Sequence, residues 1–144
     1  MRRLVALLFP LLLAACGDNQ NAAYMISGAG HSLTGARQQA YLGGDWETEL
    51  VVARFPECQR RYPMKGLAAD KLKIDLYRAE PGAFILNAGK RWFVAETRGC
   101  GFDAYKEPPP EPGLLIGSFQ VRDGVLEYKS QEKPAAAPAA AATK

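Results

Sequence analysis

Leu115-Ile-Gly-Ser-Phe-Gln-Val-Arg122, Asp123-Gly124 and Val125-Leu-Glu-Tyr-Lys129 form the stretch whose reading decides the fold. An Asp-Gly pair between two alternating apolar runs is the strongest short-range signal for a β-hairpin, because both turn residues must take positive φ. The register can be tested on paper. With a two-residue loop, Arg122 faces Val125, Val121 faces Leu126 and Phe119 faces Tyr128. Both apolar pairs then fall on one side. Gln120 opposite Glu127 and Ser118 opposite Lys129 fall on the other, as a wet face. A strand has a side-chain period of two, so only this register puts the apolar set together.

Working outward from that hairpin, more strands follow. Arg91 to Thr97 reads as a strand, joined through Ala88-Gly89-Lys90 to another over Ala83 to Asn87. Leu72, Ile74 and Leu76 alternate with Lys73, Asp75 and Tyr77, the pattern of a half-buried strand ended by Glu80-Pro81-Gly82. Trp46 to Phe55 is a strand with Leu50, Val51 and Val52 at its centre, stopped by Pro56. Residues 59–70 read as a loop or an irregular turn. Residues 31–42 fit a short helix capped by Ser32, but Gly35 weakens it and the β-rich continuation favours a strand. Residues 106–113 (Lys-Glu-Pro-Pro-Pro-Glu-Pro-Gly) predict a stiff polyproline II connection. The fold class expected is mainly β: one small antiparallel β-sandwich or barrel of five to six strands, spanning residues 31–130. Residues 16–30 are expected as a flexible tether, and the Ala/Pro-rich residues 131–144 as a disordered tail without a large side chain to bury.

The N-terminus is of another kind. Arg2 and Arg3 precede the apolar run Leu4 to Ala15, which at about twelve residues is signal-peptide length and short of the roughly twenty a spanning helix needs. The run closes on Leu13-Ala14-Ala15-Cys16. That sequence resembles the lipobox of bacterial lipoproteins. The resemblance implies cleavage before Cys16, with residues 1–15 as the signal peptide, diacylglycerol on the Cys16 thiol and an acyl group on the new amino terminus. Two or more acyl chains hold a protein stably on a membrane, where one holds it only marginally. In the family, an aspartate directly after the cysteine marks inner-membrane retention. Gly17 stands there instead, so the expected address is the outer membrane, facing the periplasm.

Processing changes the composition. Removing residues 1–15 from 144 leaves 129, and losing Arg2 and Arg3 takes the formal charge from +3 to +1. A nearly neutral chain does not call for nucleic acid. Once Cys16 is assigned to lipid, Cys58 and Cys100 are an even pair in an exported chain, and a disulfide between them is expected.

Chemistry-bearing residues are few. His31 is the only histidine, so no His-based catalytic or metal constellation can be assembled, and no metal or cofactor is implied. Asp45, Glu47 and Glu49 cluster, but alternation turns Glu47 and Glu49 outward together, as a solvated face. The one candidate patch is cationic. Arg60 and Arg61 follow Cys58, and Arg98 precedes Cys100, so a disulfide would draw Arg60, Arg61 and Arg98 towards one corner. Converging guanidinium groups there would suit a carboxylate, a phosphate or an acidic glycan, with Tyr62 and Trp92 as a stacking face. The competing reading is a solubilising rim neutralised by Glu57 and Glu96.

The stretches His31-Ser-Leu-Thr34, Leu50-Val-Val-Ala-Arg-Phe-Pro-Glu-Cys-Gln-Arg-Arg61 and Gly89-Lys-Arg-Trp-Phe-Val94 make the body similar to small uncharacterised proteobacterial lipoproteins, a resemblance that implies no activity. The function expected is a lipid-anchored, non-enzymatic binding or accessory role towards an envelope protein or anionic glycan. The alternatives are an envelope hydrolase or inhibitor with an unrecognised site, or a structural accessory of an outer-membrane assembly.

Overall fold

The Asp123-Gly124 turn closes as the sequence predicts, with φ of 50° and 78°. In the computed structural model, which describes residues 16–67 and 70–132, every expected pair of this hairpin is present, from Arg122 opposite Val125 to Ser118 opposite Lys129. Gln120 donates to Glu127 across the pair at 3.0 Å. Ser118 departs from the wet-face expectation and is buried. Its short side chain sits on an inner strand, flanked by Lys129 on one neighbour and Asp75 on the other. The signal-peptide residues 1–15 and tail residues 133–144 lie outside the described residues.

Ten strands and no helix occur among the described residues: β1 (Asp18–Met25), β2 (His31–Gln39), β3 (Trp46–Arg54), β4 (Cys58–Pro63), β5 (Lys73–Glu80), β6 (Ala83–Ala88), β7 (Arg91–Glu96), β8 (Gly101–Ala104), β9 (Leu114–Arg122) and β10 (Val125–Ser130). They form two antiparallel sheets, ordered β1-β2-β3-β4 and β10-β9-β5-β6-β7-β8. The architecture is a small β-sandwich and not a closed barrel.

Two segments are corrected, and with them the strand count. The tether assigned to residues 16–30 is mostly β1, which pairs with all but the first residue of β2. Its polar sequence hides this, because an edge strand buries little; here Ala22 and Tyr24 alone turn into the core. Residues 59–63, the first part of the segment expected as a loop or irregular turn, belong to β4, another edge strand, with Tyr62 packed on the core and arginines towards solvent. Residues 31–39 are strand throughout. The count therefore rises from five or six to ten. Polar or basic edges of this kind block pairing with other chains.

Leu33, Leu50, Val52, Ile74, Leu76, Phe84, Leu86, Phe93 and Phe119 meet between the sheets. A Cβ added at Gly35 would lie 3.1 Å from Phe119 Cδ1, so this glycine marks close approach of the sheets and not a weak helix. A register shift between β5 and β9 pairs Leu76 with Gly117 and Tyr77 with Leu115, leaving Ile116 as the extra residue between them. A Cβ on Gly117 would collide with the backbone oxygen of Lys129 at 2.6 Å as well as the Tyr128 ring.

The edges of the two sheets meet along two seams that no backbone ladder crosses. At one, Cys58 of β4 is disulfide-bonded to Cys100 just before β8, with Cα atoms 6.0 Å apart. Tyr62 donates to Cys100 O there, and its ring lies 5.1 Å from Phe102. At the other, side chains of β1 and β2 reach the β9–β10 hairpin. The antiparallel registers give the sandwich two ends. One carries the disulfide. The other carries the Asp123-Gly124 turn, the start of β1 and the 40–45 loop.

Candidate functional site

The disulfide end was expected to gather Arg60, Arg61 and Arg98. Cys58 Sγ lies 3.8 Å from Thr97 O and 3.9 Å from Arg98 O, so the bond does bring the Arg98 backbone to β4. The guanidinium groups of Arg60 and Arg61 do not share one face. Neighbours on a strand point to opposite sides. Arg60 therefore follows the parity of Cys58 and Tyr62, while Arg61 turns outward and pairs with Glu49 at 3.2 Å. Arg98 extends along Gly82, near which its Cγ and Nε lie. Glu96 accepts from the backbone N–H groups of Arg98 and Gly99, so it braces the turn and does not neutralise a rim. The Trp92 ring lies tilted beside Tyr77, and the Tyr62 ring tilted beside Phe102; the two rings have separate partners. His31, the only histidine, opens β2 and is bonded to Thr97 Oγ1 at 3.0 Å. Glu47 and Glu49 have separate partners, Gln38 and Arg61.

The most constrained charged group was not anticipated. Arg37 is 2% exposed. Its Nε donates to Gln20 Oε1 at 2.9 Å, its Nη2 donates to Gly124 O, and its guanidinium carbon sits 4.0 Å over the Trp46 ring. Gln20 Oε1 also accepts from Leu126 N at 2.8 Å, and Gln20 Nε2 donates to Gly124 O at 3.0 Å. One buried fork thus fastens β1, β2 and β3 to the β9–β10 hairpin. Burial lowers the Arg37 pKa from its usual value, and the nearby Asp18 charge opposes that. Hydrogen bonds to a charged group are each worth about 1.5–3 kcal/mol. Arg37→Ala is therefore expected to lower the unfolding free energy by about 2–3 kcal/mol in urea titrations. Arg37→Lys should recover only part of this, because an ammonium lacks the planar fork. Full stability in the lysine variant would refute the fork.

A second polar group ties down the far side of this seam. Arg78 Nη2 donates to Tyr24 Oη at 2.7 Å and pairs with Glu132. The hydrogen bond to Tyr24 is the main cause that raises the Arg78 pKa, against desolvation. Tyr128, whose ring lies 5.3 Å from that of Tyr24, has its pKa raised, first by burial.

Two hollows flank Leu67 at the hairpin-turn end. One, of about 410 Å³, is lined by Lys71, Lys73, Asp75 and Asn87. Lys73 Nζ is 3.3 Å from Asp75 Oδ1, an ion-pair contact that leaves this oxygen without a hydrogen bond. The other, of about 290 Å³, is lined by Trp46, Met64 and Lys65, with the unpartnered Oγ1 of Thr48 buried at its wall. Both are open clefts. Cys16 stands at the same end, exposed and outside any disulfide. Comparison of the chain with protein-family models, curated proteins and solved structures finds no match.

Proposed function

We propose that this chain is a lipid-anchored protein of the bacterial cell envelope, acylated on Cys16, whose β-sandwich serves a non-enzymatic binding or accessory role at the periplasmic face of the outer membrane. The observation that carries the reading is the Leu13-Ala14-Ala15-Cys16 sequence behind a basic, apolar leader. The exposed Cys16 thiol, two positions ahead of β1, supports it. So does the Cys58–Cys100 disulfide, the chemistry of an oxidising compartment. The opposite facing of Arg60 and Arg61, with Arg61 paired to Glu49, favours a partner that touches a broad surface, a protein or an extended glycan, over a small anion held by three guanidinium groups.

The test is expression of the full chain in a Gram-negative host, followed by intact mass measurement of the membrane-bound product. The expected product starts at Cys16 and carries diacylglycerol and an acyl group; Cys16→Ser abolishes both. A Cys16 chain with a free thiol would overturn the anchoring. Crosslinking in intact cells then tests the binding role: an envelope protein or glycan is expected, and capture of abundant porins alone would overturn it.

A further inference from the structure

β1 begins so close to Cys16 that whatever holds Cys16 also meets the loop beside it. Asp18 pairs with Gln39. Continuing that register by two residues sets Gly17 opposite Ala40 and Cys16 opposite Tyr41. The approach is tight: a Cβ on Gly17 would lie 2.1 Å from Gln39 O and 2.8 Å from Ala40 O. The 40–45 loop turns here, with Gly44 N donating to Tyr41 O at 2.9 Å and Gly43 at φ +82°. At its tip Tyr41 is 60% exposed and Leu42 79% exposed, and Leu42 is the most exposed of the large apolar residues of the described chain.

Resting on the anchoring reading above, we propose that Tyr41 and Leu42 insert into the surface of the bilayer to which Cys16 is acylated. Leu42 enters the boundary between headgroups and acyl chains. Tyr41 lies at headgroup level, where an amphipathic ring is wet at one end and apolar at the other. The neighbouring charges fit apolar insertion over attraction to anionic lipid, because Asp18, Asp45 and Glu47 line the hollow beside the loop. Two side chains add little to the affinity of several acyl chains. They fix the rotation of the domain, so that the hairpin-turn end faces the lipid and the disulfide end faces away.

The test uses the acylated full chain reconstituted in zwitterionic phosphatidylcholine vesicles, with or without brominated acyl chains as quenchers. Leu42→Trp and Leu114→Trp are compared with the unsubstituted protein, which already carries Trp46 and Trp92. Leu114 is exposed at the disulfide end. Expected is loss of most of the emission added at position 42, and none at position 114. Unquenched emission at position 42, in protein that floats with vesicles and is acylated by mass, would overturn the insertion while leaving the anchor intact. Blue-shifted, concentration-dependent but unquenched emission would also overturn it, showing that a second copy covers the loop. A Cys16 thiol found free by mass would remove the anchor, and the insertion with it.

Discussion

Replacing Cys58 and Cys100 together by alanine is expected to lower the unfolding free energy by about 4 kcal/mol, the chain-entropy value for a closed loop of this size. The loop is set by a sequence separation of 42. The location adds a second expectation. No backbone ladder joins β4 to β8, so without the bond that corner is held by side-chain contacts such as those of Tyr62 to Cys100 O and Phe102 and of His31 to Thr97. Both strands are sheet edges. Their amides should therefore lose hydrogen-exchange protection before those of β5 and β9 at the centre of the larger sheet. Urea titration of the oxidised protein against the double variant measures the first effect, and residue-resolved exchange the second. A loss below about 1 kcal/mol, set against the chain-entropy value, would mean that the seam closes without the bond.

Phe119→Ala should have a comparable effect by another route. The side chain is fully buried. It lies against Gly35 of the opposite sheet and 5.0 Å from the Tyr128 ring, with Ile74 as its partner on β5. Deleting a buried phenylalanine costs about 3–5 kcal/mol, in part from the cavity left behind. The upper half of that range is expected, because the residue across the gap is a glycine and has no side chain to relax into the space. Phe119→Leu keeps much of the volume and should lose less than about 1.5 kcal/mol. Equal losses in the two variants would mean that the ring's shape, and not the filled volume, is what the sheets require.

What the sequence made legible follows from how much each strand buries. β5, β6, β7, β9 and β10 carry large apolar residues at alternate positions, and the β9–β10 register could be written down pair by pair. β1, β4 and β8 are edges. β1 spends Ala22 and Tyr24 on the core, β4 spends Tyr62, and β8 is four residues long. Such strands form because a neighbour offers them a ladder, and a single sequence does not display its neighbours. The divergence of Arg60 and Arg61 was available in principle, since they are consecutive and consecutive strand residues point to opposite sides. It was hidden because residues 59–70 were read as loop. Arg37 gave no local signal: its partners Gln20 and Gly124 lie 17 and 87 residues away.

The two ends of the sandwich also fix a direction along the chain. Nine-residue strands such as β2 and β3 run about 30 Å at roughly 3.4 Å per residue. Cys16 stands at one end. At the other, Gln131 and Glu132 donate their N–H groups to Ile116 O beside the start of β9. Glu132 and Cys16 therefore stand a domain's height apart, and a chain held at Cys16 presents its Glu132 end farthest from the point of attachment.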